Sequence, residues 1–104
     1  MAEPQFQFEW DESKAAANFR KHGISFELAC TLFGDARLVT VADLEHGERE
    51  ERWFSIGCAS TGALLSVVYL WAETEADTVK IRPISARRAT PREIRQYRET
   101  LLSG

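Results

Sequence analysis

The sequence contains little cysteine and no long apolar run, and each shortage excludes a class of protein. The two cysteines, Cys30 and Cys58, lie far apart and show neither CxxC nor metal-ligand spacing, which favours reduced thiols in a cytosolic protein. No segment approaches the roughly 18 apolar residues that a membrane-spanning helix requires. The N-terminal residues show neither a basic nor an apolar signal segment. We therefore expect a cytoplasmic protein that makes no contact with a membrane.

Cofactor motifs are also missing. The sequence contains no glycine-rich loop that would hold phosphate groups, no zinc-ligand spacing and no nucleophile elbow. We therefore expect neither a metal nor another cofactor. With 104 residues, the chain is long enough for one hydrophobic core but too short for two. A single domain over residues 1–104 is expected, in which only residues 1–5 look loose.

Charge is divided unevenly along the chain. The formal net charge is −3, but Thr78–Gly104 holds seven basic and two acidic side chains, a local charge of +5, which leaves −8 on the other residues. Arginine concentrated locally in an acidic protein suits a phosphate-bearing or carboxylate-rich partner. The acidic remainder argues against non-specific binding of nucleic acid over the whole surface. The seven basic residues are Lys80, Arg82, Arg87, Arg88, Arg92, Arg95 and Arg98.

Capping residues mark two helices in the N-terminal part. Asp11 is suited to cap a helix that ends at His22, because Gly23 can adopt the left-handed conformation that stops a helix. Ser25 is suited to cap a second, short helix over Phe26–Phe33, whose apolar residues recur at helical spacing.

A third helix and five strands complete the prediction. Thr90 and Glu93 form a capping box around Pro91, which predicts a helix that runs to about Leu102. Alternation of apolar and polar side chains, together with β-branched and aromatic residues, predicts the strands. Short polar loops between the middle strands favour antiparallel hairpins. The predicted strands are Phe6–Trp10, Arg37–Asp43, Arg52–Ala59, Ala63–Trp71 and Val79–Arg87.

The elements predict an α+β domain in the order β-α-α-β-β-β-β-α. It contains an antiparallel β-sheet, two N-terminal helices and one C-terminal helix. We expect the helices to pack on one face of the sheet. The opposite face would then be free to bind a partner.

The last strand carries the first candidate site residues. Arg82 and Arg87 fall on opposite sides of a regular strand. Pro83 cannot donate a hydrogen bond to a neighbouring strand, so it indicates an edge position, a bulge or a local loss of strand pairing. A bulge would re-orient Arg82 relative to Arg87 and direct both guanidinium groups toward one substrate. Alternatively, these arginines are solvated or pair with the acidic residues Glu48, Glu50 and Glu51.

A second group of candidates lies around the middle strands. Arg52 begins a strand whose inward residues look buried, so packing would hold its side chain in place. His46, Glu48 and Tyr69 are candidates for proton transfer. The alternatives are a solvated hairpin rim for His46 and Glu48, and core packing for Tyr69.

Several motifs together resemble the BrnT family of type II toxins. The resemblance extends from about Phe8 to Tyr97, and its Lys-His-Gly and Ile-Ser-Ala-Arg segments together form a specific signal. The chain departs from the family pattern at Pro83, where a second isoleucine is common, and at Glu73–Asp77, an acidic segment longer than a minimal hairpin. The residues that carry the resemblance are Phe8, Trp10, Asp11, Lys14, Asn18, Lys21–Ile24, Phe26, Gly47, Glu48, Arg52, Trp53, Gly57, Ile84–Thr90, Glu93 and Tyr97.

The resemblance implies a RelE-like ribonuclease fold and a toxin that cleaves mRNA and so inhibits translation. It also implies a partner antitoxin, BrnA, whose ribbon-helix-helix part binds DNA and represses the shared operon. A hetero-oligomer with this antitoxin is therefore expected. Operator DNA would be contacted only indirectly, through the antitoxin.

A ribonuclease that needs no metal can use the 2′-hydroxyl of RNA as its nucleophile and leave a 2′,3′-cyclic phosphate. Arginine suits the stabilisation of the phosphate because it stays protonated and offers a planar fork of donors. We therefore assign Arg52, Arg82 and Arg87 to phosphate binding and transition-state stabilisation. The acid or base stays open among His46, Glu48 and Tyr69.

Further basic residues are assigned to binding. Lys21, His22 and Arg88 are expected to bind RNA. An acidic or amphipathic segment of the antitoxin is expected to cover the basic surface and block the substrate. The residues expected to bind it are Lys80, Arg92, Arg95 and Arg98.

Two other functions remain open. In the first, the chain is a non-enzymatic protein-binding module whose arginines serve only a protein or DNA partner. In the second, it is an inactive toxin that acts as a co-repressor with its antitoxin.

Overall fold

The computed structural model describes residues 5–42, 51–74 and 77–103, and of Ala42, Glu51 and Ser103 only the backbone. It confirms the α+β class and the predicted order of elements. The elements are β1 (Gln5–Phe8), α1 (Glu12–His22), α2 (Phe26–Cys30) followed by a 3-10 turn (Thr31–Gly34), β2 (Val39–Ala42), β3 (Glu51–Cys58), β4 (Leu64–Thr74), β5 (Thr78–Arg88) and α3 (Pro91–Ser103).

The five strands form one sheet in the order β1-β5-β4-β3-β2. Strands β2 to β5 form the predicted antiparallel meander. Strand β1 pairs with β5 in parallel, so the sheet is mixed rather than wholly antiparallel. Parallel pairing is possible because the connection between the two strands is long, as neighbouring parallel strands require. Here α1, α2 and three strands separate β1 from β5.

The predicted helix caps are confirmed. The Asp11 carboxylate accepts the backbone N–H of Ser13 at 2.8 Å, and Gly23 adopts a left-handed conformation with φ of 71°. In α3, the N–H of Thr90 donates to the Glu93 carboxylate at 2.9 Å, and the N–H of Glu93 donates to the Thr90 hydroxyl at 3.2 Å. These bonds satisfy donors that the first turn of a helix otherwise leaves without a partner.

The main core lies between the sheet and α1 and α2. Asn18 of α1 is buried there and ties the helix to β5. Its side-chain amide donates to the carbonyl oxygens of Ile24 at 3.0 Å and Ala86 at 2.9 Å, and its oxygen accepts the N–H of Ala86 at 3.0 Å. The largest apolar side chains of this core are Phe26, Leu32, Leu65, Val67, Tyr69 and Ile81.

Helix α3 does not pack with the other two helices, contrary to the prediction. It lies on the other face of the sheet, at one end, where the Ser66 hydroxyl donates to the Glu93 carboxylate at 2.8 Å. Ser66 and its neighbour across the strands, Ile56, are both buried and point away from the main core. The third helix therefore covers only part of the second face.

Candidate active site

A β-bulge in β5 decides which way its arginines point. Val68 pairs with Ser85 and the next residue, Tyr69, pairs with Pro83, so Ile84 is the extra residue of the bulge. The bulge reverses the alternation of the strand beyond it. Arg82 and Arg87, which a regular strand would place on opposite faces, therefore lie on the same face. Of the alternatives that Pro83 indicates, the structure contains the bulge.

Two of the predicted arginines lie in one row across the sheet. Arg52 of β3 pairs with Leu70 of β4, and Leu70 pairs with Arg82 of β5. We call these three residues the arginine row. Neighbouring strands are about 4.8 Å apart, which places the two arginine backbones about 10 Å from each other. Both side chains therefore rise from one face on either side of a leucine.

Glu9 extends the arginine row at the edge of the sheet. Its backbone N–H donates to the carbonyl oxygen of Ile81 at 3.1 Å, which places it beside Arg82. One carboxylate oxygen of Glu9 lies 3.3 Å from a guanidinium nitrogen of Arg82, and the other lies 3.9 Å from the ammonium of Lys80. All three side chains are about half exposed to solvent. Ion pairs of this kind are weak, so a bound anion can compete for either cation.

A groove of about 500 Å³ opens beside this end of the row. That volume lies within the range of ordinary ligand sites. Strand β5 contributes Arg82 and Pro83 to its wall, and the rest of the polar lining comes from the residues between β1 and α1 and from the first turn of α1, which includes Glu12. Glu9, Trp10, Lys14 and Leu70 also line the groove. The groove thus joins cationic, anionic and aromatic side chains at one end of the arginine row.

Arg87 lies apart from the arginine row. Its partner on β4 is Ser66, four residues from Leu70, so it sits about 13 Å along the strand from Arg82. Both terminal nitrogens of Arg87 donate to the Glu93 carboxylate, at 2.7 and 2.9 Å. The hydrogen bond from Arg87 is the main cause that lowers the pKa of Glu93 to about 2. The bulge therefore brings Arg82 and Arg87 to one face, but not to one point.

Tyr69 faces the main core. Its side chain is 1% exposed, and its hydroxyl lies 2.7 Å from that of Ser55. Burial raises the pKa of the phenol. The sheet separates Tyr69 from Arg82, so the structure does not bring this candidate to the arginine row. Core packing, the alternative for this residue, describes its surroundings.

The other sequence candidates are dispersed. His46 and Glu48 lie outside the described residues, as do Glu50 and the side chain of Glu51. Lys21 and His22 occupy the last turn of α1, about 10 to 15 Å along the helix from its groove-lining first turn. Arg88 is exposed on the sheet face opposite to Arg87. Exposed basic side chains on α3 are Arg92, Arg95 and Arg98.

Glu9 is a residue of the candidate site that the sequence alone did not indicate. The alternating pattern of β1 placed Glu9 on a strand, and Lys14 follows from the Asp11 cap as a residue of the first helical turn. Neither signal says which strand β1 joins. The parallel pairing with β5 is what brings Glu9 and Trp10 to Arg82.

Among the described residues, no group of three or more histidine, cysteine, aspartate or glutamate side chains is placed to hold a metal ion. The described part of the chain also contains no helix that is long and apolar enough to cross a membrane.

A family model described as "Ribonuclease toxin, BrnT, of type II toxin-antitoxin system" matches residues 10–93. This chain belongs to the BrnT family.

The resemblance drawn from the sequence is therefore confirmed. As a BrnT-family chain, the protein is a ribonuclease toxin of a type II toxin-antitoxin system, which implies an antitoxin partner. The matched region includes the whole arginine row. A similar solved structure is that of the Brucella abortus ribonuclease toxin BrnT, with 20% identity, a TM-score of 0.47, and coverage of 83% of this chain and 97% of that one. Comparison with curated proteins found no match.

Proposed function

We propose that this toxin is a metal-independent endoribonuclease that cleaves mRNA in the cytoplasm and so inhibits translation. The observation that carries the proposal is the arginine row beside the groove. Arg52 and Arg82 project from one face of the sheet, on the part that α3 leaves uncovered. A phosphodiester that crosses Leu70 would lie between two guanidinium groups.

Positive charge on both sides of the phosphate is what this chemistry requires. When the 2′-oxygen attacks phosphorus, negative charge grows on the non-bridging oxygens of the phosphate. Guanidinium donors that are already oriented stabilise that charge more in the transition state than in the ground state. Arg82 is held loosely by Glu9 at 3.3 Å and is free to exchange this partner for phosphate.

Arg87 has a different part in this proposal. Its bidentate pair with Glu93 holds the start of α3 against the sheet. We therefore assign Arg87 to support of the fold rather than to phosphate binding. His46 and Glu48 stay predictions for proton transfer, and Lys21, His22 and Arg88 stay predictions for binding the rest of the RNA.

The partner in this proposal is an antitoxin of the BrnA type. An acidic or amphipathic segment of it would cover exposed basic side chains of β5 and α3 and block the path of RNA to the arginine row. Operator DNA would then be bound through the antitoxin, in a hetero-oligomer. The surface that supports this proposal comprises Lys80, Arg92, Arg95 and Arg98.

The test compares Arg82→Ala with Arg20→Ala, an exposed arginine of α1 that has no part in the proposed site. Purified proteins are incubated with RNA in excess EDTA, and fragments and their termini are analysed. Removal of one charge donor should slow cleavage by about a hundredfold. Arg20→Ala should cleave at the wild-type rate, and RNA with one 2′-deoxynucleotide at the scissile position should stay intact.

Two outcomes would contradict the proposal. Cleavage that stops in EDTA would overturn metal independence. Folded wild-type protein that binds RNA or the antitoxin without cleaving RNA would favour the non-enzymatic module or the inactive co-repressor. A cellular test expresses the protein with and without the adjacent gene and follows growth and RNA integrity. An active toxin should slow growth and degrade RNA when it is expressed alone, whereas a binding module or an inactive co-repressor should do neither.

A further inference from the structure

We propose that Glu9 is the general base that takes the proton from the 2′-hydroxyl of the RNA, an inference that rests on the proposed ribonuclease function. Glu9 lies at the end of the arginine row, and its backbone is fixed by the hydrogen bond to Ile81. Its carboxylate lies 3.3 Å from the guanidinium of Arg82, to which we assign phosphate binding. A phosphate on Arg82 would therefore sit next to this carboxylate.

The chemistry of RNA places the proton where Glu9 can reach it. The 2′-hydroxyl is on the sugar carbon next to the one that bears the 3′-phosphate. A general base must come within hydrogen-bond distance of this hydroxyl while the arginines hold the phosphate. Glu9 and Arg82 both line the groove of about 500 Å³, which offers room for the sugar.

The two carboxylate oxygens of Glu9 contact different cations. One oxygen faces Arg82 and the other faces Lys80 at 3.9 Å. When phosphate takes the place of the first oxygen at Arg82, the second oxygen can stay near Lys80 at the edge of the groove. The released oxygen is then available to accept a hydrogen bond from the 2′-hydroxyl.

The nearby carboxylate of Asp11 is committed to another task. One of its oxygens accepts the N–H of Ser13 at 2.8 Å and the hydroxyl of the same residue at 2.6 Å, which caps α1. The hydrogen bond from the Ser13 hydroxyl is the main cause that lowers the pKa of Asp11. Three carboxylates line the groove, those of Glu9, Asp11 and Glu12, and Glu9 is the one that forms an ion pair with Arg82, the residue assigned to phosphate binding.

Water supplies the proton for the leaving 5′-oxygen in the proposed reaction. The O–H bond of the 2′-hydroxyl breaks, its proton passes to a carboxylate oxygen of Glu9, and the 2′-oxygen forms a bond to phosphorus. The bond from phosphorus to the 5′-oxygen breaks, and the 5′-oxygen takes a proton from water in the groove. The products are a 2′,3′-cyclic phosphate and a 5′-hydroxyl. The hydroxide that remains takes the proton from Glu9 and restores the carboxylate.

The experiment compares Glu9→Gln with Glu27→Gln in single-turnover cleavage of an RNA that contains one ribose among 2′-deoxynucleotides. Glu27 is an exposed glutamate on the first turn of α2 and does not line the groove. We expect Glu9→Gln to cleave at least a hundredfold more slowly, which is the scale of a lost general base. Its affinity for RNA should be unchanged or higher, because a negative charge near the phosphate is gone. Glu27→Gln should match the wild type in both.

A second substrate distinguishes a base from an acid. If sulfur replaces the 5′-oxygen, the leaving group departs without a proton. Glu9→Gln should remain slow on this substrate, because the 2′-hydroxyl still has to lose its proton. Recovery of the wild-type rate would overturn the role of general base. Glu9→Asp keeps the carboxylate but shortens its reach, so we expect a rate between those of the wild type and Glu9→Gln.

The failures can be told apart. If the wild-type protein does not cleave RNA, the proposed function fails. If the wild type cleaves and Glu9→Gln cleaves equally fast, the Glu9 proposal fails while the ribonuclease proposal stands. If Glu9→Gln loses RNA affinity to the same degree as cleavage, Glu9 only positions Arg82, and the base proposal is overturned.

Discussion

Glu93→Gln should destabilise the protein at neutral pH and have progressively less effect in acid. The Glu93 carboxylate accepts both terminal nitrogens of Arg87, the Ser66 hydroxyl and the N–H of Thr90. Glutamine keeps the shape of the side chain and one acceptor oxygen, but loses the charge and one side of the fork. The variant therefore isolates the charged part of the network.

The magnitude follows from the pKa of Glu93, which is lowered from 4.5 to about 2. One pKa unit corresponds to about 1.4 kcal/mol, so the full shift would be worth about 3 kcal/mol of unfolding free energy. The Arg87 side chain is 36% exposed and that of Glu93 is 15% exposed. Solvent screening of the arginine reduces the expected effect to about 2 kcal/mol.

The sign of the pH dependence is fixed by the direction of the shift. A carboxyl whose pKa is lowered by folding stabilises the protein fully above its unfolded value, near 4.5, and loses this contribution as pH falls toward about 2. The difference in unfolding free energy between the wild type and Glu93→Gln should therefore be largest at pH 7. It should fall to less than half of that value by pH 3.

Urea unfolding followed by fluorescence of the three tryptophans measures this difference at pH 7, 5, 4 and 3. The matched control is Glu27→Gln, an exposed glutamate in the first turn of α2. It shares the helix-start position of Glu93 without the arginine partner. A difference for Glu93→Gln that stays constant from pH 7 to 3, or one equal to that of Glu27→Gln, would refute the argument.

Three further predictions concern other parts of the molecule. Gly57→Ala should lower the unfolding free energy by about 1 to 3 kcal/mol, because the added methyl carbon would meet a side-chain carbon of Leu38 at 2.5 Å; a stability equal to the wild type would contradict this packing. Asn18→Ala should cost about 2 to 4 kcal/mol in urea unfolding, because it leaves the buried N–H and carbonyl groups of β5 without their partners. Charge reversal at Arg92 and Arg95 should slow association with the antitoxin in stopped-flow measurements, as should higher ionic strength, while the circular dichroism spectrum stays unchanged; association that ignores salt would place the partner elsewhere.

Local sequence signals predicted the elements well because their causes are local. The caps at Asp11 and Thr90 act within one helical turn, and Pro83 imposes its bulge through its own missing N–H. Both effects can be read from a few neighbouring residues. The order of elements followed from them.

What the sequence did not predict is which side chains contact each other. Strand β4 is apolar on both faces, so its pattern could not tell that Tyr69 points into the core and Leu70 to the arginine row. The contact between Arg87 and Glu93 could have been predicted from the sequence. A carboxylate has more acceptor sites than a capping box uses, and Glu93 stands only six residues away.

The pairing of β1 with β5 has a consequence for folding during synthesis on the ribosome. The two halves of the groove, at Glu9 and Arg82, are 73 residues apart in the chain. The first is synthesised early, but it has no strand to join until most of the chain has emerged. Contacts of such long range form late. A nascent or prematurely terminated toxin that ends before β5 therefore lacks the groove altogether. The groove can form only when the chain is nearly complete.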